Sequence, residues 1–161
     1  MSAALVLSFL YAWPRFRCNR ITRAAEAATR GISELPDTYS TALAARRNRA
    51  VLEICLRHDP TDVSMLMIAA ANDQLANNYH GAITLYRTAL KEDRRPELYL
   101  NLGNCEIAAG LREEGIADLV EAVAFEPSYI AAVEDVPVRL AVERAARLKY
   151  PHVEALHWFY W

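Results

Sequence analysis

Runs of Ala, Leu, Val and Arg dominate this chain, and the strict apolar–polar alternation of β-branched residues that marks a half-buried strand is scarce. The pattern predicts an all-α fold with helices near residues 2–12, 20–34, 38–57, 63–76, 79–92, 96–109, 112–124, 129–135, 138–149 and 151–159. Asp37, Asp62 and Asn78 stand where N-caps belong, and Pro96 and Pro151 fit first turns, where a missing N–H costs nothing. Pro137 breaks the helical run after Asp135, which makes the last repeat-like segment a cap.

Within this pattern, Asn101 to Pro127 reads as a helix, a tight turn and a second helix, with small residues where the two helices touch. Gly103 and Gly115 lie mid-helix, where glycine costs about 1 kcal/mol relative to alanine, so close backbone approach is the expected reason for them. Upstream, LANNYHGAITLYRTALKED repeats the layout. Asn77 aligns with Gly110 in the turn, Ala82 with Gly115, Tyr86 with Leu119 and Ala89 with Ala122, at a spacing of 33 residues. A weaker third copy ends at Pro60, where Ala50 and Ile54 mimic a second repeat helix and no first helix is recognisable.

Over residues 63–129 this resembles the tetratricopeptide repeat family, whose period is about 34 residues; a trimmed loop at Asp93 to Pro96 accounts for the missing one. The resemblance implies a short solenoid of helical hairpins, flanked by an apolar amino-terminal helical arm and a carboxy-terminal capping helix region. It also implies a concave groove that holds a peptide or helix of another protein. The implied groove residues are Ser64, Met67, Ala71, Gln74 and Leu75 in one repeat and Glu97, Leu100, Asn104, Ile107 and Ala108 in the next. We single out Met67, Ala71, Gln74, Leu100, Asn104 and Ile107 as partner-binding. Of the Lys, Arg and Asn set with which some family members clamp a carboxylate tail, only Asn104 is present, so the expected ligand is an apolar strand or amphipathic helix. The chain departs from the family at Asp73 and Glu106, where an aromatic is usual. Acids there must reach solvent, pair with an arginine or neutralise.

The domain organisation expected is an arm over residues 1–20 and a helical domain over 21–161, with 53% hydrophobic residues to build a core. The arm is uncharged from Ala3 to Trp13 and then carries Arg15, Arg17 and Arg20. A secretory signal places its charge before the apolar run, so that reading is disfavoured. Thirteen residues of helix reach about 20 Å, short of a hydrocarbon core of about 30 Å. Leu5, Leu7, Phe9, Leu10, Trp13, Arg15 and Arg17 are therefore candidates for an interfacial membrane or partner anchor, the alternative being an apolar helix packed on the repeats. A mitochondrial transit peptide fits the Arg-rich, acid-poor region but not its apolar first dozen residues. The aromatic end, Leu156 to Trp161, reads as a plug on the last repeat or a second contact with partner or lipid.

Charge separates along the chain. Residues 1–36 carry five Arg against two Glu, whereas residues 61–127 carry five basic and eleven acidic residues. The basic arm has no obvious base-stacking platform and the acidic body would repel phosphate, which disfavours nucleic acid. Cys18, Cys55 and Cys105 are odd in number and far apart, and the four histidines have no metal spacing, so no cofactor, metal site or disulfide framework is expected. No catalytic signature appears, which leaves an enzyme of unrecognised type as a third class. Sixteen of the eighteen basic residues are arginine, pointing to a GC-rich, bacterial source. The expected function is a protein–protein interaction adaptor or scaffold in a larger, membrane-bound complex, held at the cytoplasmic face. The alternatives are a soluble cytoplasmic location and a chaperone that masks an apolar segment of a secreted or membrane protein.

Overall fold

The computed structural model describes residues 3–151, with side chains from Cys18 onward. The helix expected over 151–159 and the aromatic end from Leu156 lie outside the described residues. Among the described residues the protein is all-α. Helix α1 spans Ala3–Ser33, α2 Thr38–Leu56, α3 Val63–Leu75, α4 Tyr79–Glu92, α5 Pro96–Ala108, α6 Arg112–Phe125 and α7 Val136–Lys149, with a 3-10 helix at Pro127–Ala132. The segment expected as a helix over 129–135 is thus a tighter turn that begins at Pro127.

A second boundary differs from the sequence reading. Residues 3–33 form a single helix that passes through Pro14, in place of two helices over 2–12 and 20–34. An internal proline removes one backbone donor and crowds the carbonyl four residues earlier, at a cost of about 3 kcal/mol, and helix-forming residues on both sides carry the helix across it. The boundary placed between residues 20 and 21 therefore falls inside α1. The chain parts into two compact units that meet in sequence at Asn78 and Tyr79.

In the first unit α1, α2 and α3 pack on one another. Asp37 caps α2 by accepting from the Ser40 N–H at 2.8 Å, and Asp62 caps α3 by accepting from Met65 at 2.9 Å. A polar network ties the three helices. The Asn72 amide donates to Thr29 Oγ1 at 2.8 Å and to the Ile68 carbonyl at 2.7 Å, while Asn48 donates to Asn72 Oδ1 at 3.1 Å and to the Ala25 carbonyl at 2.9 Å. Asn72 is fully buried, so this pairing is what makes its burial tolerable. The inward residues of α2 are Ala45, Leu52, Cys55 and Leu56. Ala50 and Ile54 face outward, which corrects the register expected for the third repeat copy.

In the second unit α4, α5 and α6 pack in sequence, and the 3-10 helix and α7 close on α6. Asp135 caps α7 by accepting from Val138 at 2.8 Å, with Pro137 in the first turn. Leu119, Val120, Val123, Ile130, Val138 and Val142 form the core between α6 and α7. Tyr99 and Phe125 stack with centroids 6.1 Å apart, joining α5 to the end of α6.

The 33-residue period is visible in the burial pattern. Met65, Leu66, Ala69, Ala70, Asn72 and Asp73 are the buried residues of α3, and Leu98, Tyr99, Leu102, Gly103, Cys105 and Glu106 are those of α5. Each pair is separated by one period. The turns repeat as well. Asn77 N–H donates to the Gln74 carbonyl and Asn78 N–H to that of Asp73, as Gly110 donates to Ile107 and Leu111 to Glu106. Asn77 and Gly110 both adopt positive φ, 58° and 83°, the left-handed residue that this helix ending requires.

Gly103 and Gly115 are where α5 and α6 come closest. A Cβ on Gly103 would lie 2.8 Å from the Gly115 carbonyl oxygen and 2.7 Å from Leu119 Cγ, and a Cβ on Gly115 would lie 2.8 Å from the Gly103 carbonyl oxygen. Backbone oxygens cannot rotate away, so Gly115→Ala should cost about 1–3 kcal/mol by overpacking. Gly31→Ala is the opposite case, because nothing lies within 4 Å of the new Cβ, and it should stabilise by up to about 1 kcal/mol. Urea unfolding followed by circular dichroism measures both. A Gly115→Ala variant as stable as the parent would refute this account of the α5–α6 contact.

Candidate functional site

The six partner-binding candidates occupy the same positions of two repeats, since Met67 and Leu100, Ala71 and Asn104, and Gln74 and Ile107 are each one period apart. All six are half-buried. Met67, Ala71 and Gln74 belong to α3 in the first unit, and Leu100, Asn104 and Ile107 to α5 in the second, so each trio is a surface of its own unit. The α5 trio is not uniform. Leu100 and Ile107 pack against the α6–α7 core, and Ile107 covers Gly115, with Cγ1 and Cδ1 both 2.9 Å from where a Cβ would stand. Ile107 is thus directed at α6 and is a packing residue first. The Asn104 side chain has no hydrogen-bond partner among the described residues. Its amide, beside the open flank of Leu100 and the exposed Ala108, is the polar group of this face free to meet a ligand.

The two acids that replace aromatics are each held by an arginine of their own unit. Asp73 accepts from Arg49 Nε on α2 at 3.4 Å, and Glu106 from Arg87 on α4 at 2.6 Å. In each case the arginine comes from the helix preceding the acid. Glu106 is fully buried, and its second oxygen, Oε2, meets no N–H or O–H donor. The group within hydrogen-bonding reach of Glu106 is Asp118 on α6. Burial first, and then the hydrogen bond and charge of Glu106, push the Asp118 carboxyl up to about 7, with Arg87 opposing and Glu121 adding to the rise. A proton retained on Asp118 makes it a donor to Glu106 in addition to Arg87. Beside this pair, burial pushes the Cys105 thiol up to about 12 and raises the Tyr86 hydroxyl as well, so neither is disposed to ionise. Cys18, Cys55 and Cys105 are all free and buried.

Sequence reasoning singled out Asp73 and Glu106 but not their partners Arg49, Arg87 and Asp118. The arginines precede their acids by 24 and 19 residues, so no constant spacing advertises them. The anchor candidates Leu5, Leu7, Phe9, Leu10, Trp13, Arg15 and Arg17 lie outside the residues whose side chains are described. Among the described residues no helix is long and apolar enough to cross a membrane, and no group of three or more His, Cys, Asp or Glu could hold a metal ion.

The chain is therefore an all-α protein with a repeat-like arrangement of helices. No protein family, curated protein or solved structure matches it.

The Asp118 geometry carries a pH dependence with a definite sign. Its carboxyl binds a proton more tightly folded than unfolded, so its contribution to stability is complete below about pH 4 and is lost as pH rises towards about 7. Asp118→Asn keeps the donor and removes the titration. Thermal melts from pH 4 to 8 should show the variant gaining on the parent as pH increases; a difference constant across that range would refute the shared proton.

Proposed function

We propose that this protein is a tetratricopeptide-like interaction adaptor that binds an apolar segment or amphipathic helix of another protein through its α5 face. What supports the reading is the recurrence, one period apart, of half-buried positions beside a buried set: Met67, Ala71 and Gln74 in α3, then Leu100 and Asn104 in α5. Such a face offers apolar area from Leu100 and a free amide from Asn104. Together they suit a ligand whose apolar side chains are buried while one backbone group is hydrogen-bonded. Within the second unit the Arg87–Glu106 pair keeps the buried carboxylate of α5 satisfied. A membrane-bound complex at its cytoplasmic side remains the setting that the amino-terminal sequence suggests.

Site-specific photo-crosslinking in the native cell tests this reading. A photoreactive residue at Asn104 should join the chain to a protein partner, whereas one at Thr84, exposed on α4, should not. Asn104→Arg should cut partner capture about tenfold or more, with the circular dichroism spectrum unchanged. Crosslinks from position 84 and none from 104 would overturn the assignment of the α5 face.

A further inference from the structure

The α2 helix buries Ala45, Leu52 and Cys55 against its own unit and leaves an apolar ridge on the opposite side. Tyr39, Leu43, Arg47, Val51 and Ile54 follow one another at spacings of four, four, four and three residues, all exposed, with Tyr39 at 79% and Ile54 at 52% of full accessibility. Residues four apart form the row along a helix that interlocks with the grooves of a second helix. The row runs for about 22 Å, four helical turns. Arg47 stands in the middle of it with Arg46 beside it, and neither takes part in an ion pair among the described residues. The neighbouring carboxylate, Glu53, is already engaged by Arg49 at 2.6 Å.

We infer that the outward face of α2 is a second docking surface, and that its partner is an acidic amphipathic helix whose apolar row packs beside the Tyr39–Ile54 ridge while a carboxylate meets Arg47. Charge complementarity favours this partner. A helix laid on the ridge covers Arg47, and a guanidinium taken out of water without a carboxylate would oppose binding, whereas a paired one adds to it and fixes register. The same arginine argues against lipid, because a helix lying in a bilayer interface needs its apolar face free of charge at the centre. This inference is independent of the α5 reading, since the ridge lies on another element.

The test is selection on the full-length chain from a displayed library of helical peptides of about 18 residues, five turns, followed by anisotropy titration of a synthetic winner. Enriched peptides should carry an apolar row flanked by Asp or Glu. Arg47→Glu and, separately, Ile54→Asp should each weaken the winner about tenfold or more, and a Glu-to-Lys peptide should recover affinity for the Arg47→Glu chain. Both positions are exposed, so the circular dichroism spectrum should stay that of the parent. Four results would overturn the proposal: enrichment without acidic bias, affinity indifferent to both substitutions, binding of phosphatidylserine vesicles that Arg47→Glu abolishes, or a dimer of this chain that Ile54→Asp disperses.

Discussion

The second unit is organised by the closeness of two backbones. At Gly103 and Gly115 each helix presents its carbonyl oxygen to the spot where the other's Cβ would stand, 2.8 Å in both directions. Leu119 and Ile107 close over the glycines, and the Tyr99–Phe125 stack joins the same two helices further along. With α5 and α6 held this near, Glu106 on one comes within reach of Asp118 on the other. The acid pair, the orientation of Ile107 and the half-open state of Leu100 all follow from that spacing. Because each glycine is the obstacle to enlarging the other, neither position can accept a side chain first.

The two acids show how a polar group is fitted into a layer built for apolar ones. Asp73 and Glu106 occupy equivalent places, and both are compensated by an arginine reaching from the preceding helix. They differ in depth. Asp73 keeps some access to water, whereas Glu106 has none and enlists a second carboxyl to share its burden of desolvation. The first unit adds an uncharged solution beside its own acid–arginine pair, through Thr29, Asn48 and Asn72. Asn72 stands one period before Cys105, so the same slot is polar in one unit and an inert thiol in the other.

Much of the repeat could be read from the chain because its demands are local. A left-handed turn calls for Gly or Asn, and Asn77 and Gly110 supply it; a close crossing calls for glycine, and Gly103 and Gly115 supply that. Features that depend on distant partners could not be read in this way. The spacings of the arginines from their acids differ, and the continuity of α1 through Pro14 runs against the local preference of proline. The register of α2 was ambiguous because Ala42, Ala44, Ala45 and Ala50 offer several inward faces. The Asn48–Asn72 pairing accompanies the face that is used. Of the site, Leu100 and Asn104 keep open surface in the positions the spacing suggested, while Ile107 turns to the core, an outcome set by the missing side chain on Gly115.

The three buried thiols give each unit a chemical gauge of its own opening. Cys18 and Cys55 lie in the first unit and Cys105 in the second, and a shielded thiol reacts only during the moments when its surroundings part. The rate at which an alkylating reagent finds Cys105 therefore reports how often α4, α5 and α6 separate, and the other two report the same for α1, α2 and α3. An oxidant in the cell is subject to the same gate, so the shielding of these thiols is a property of the folded state.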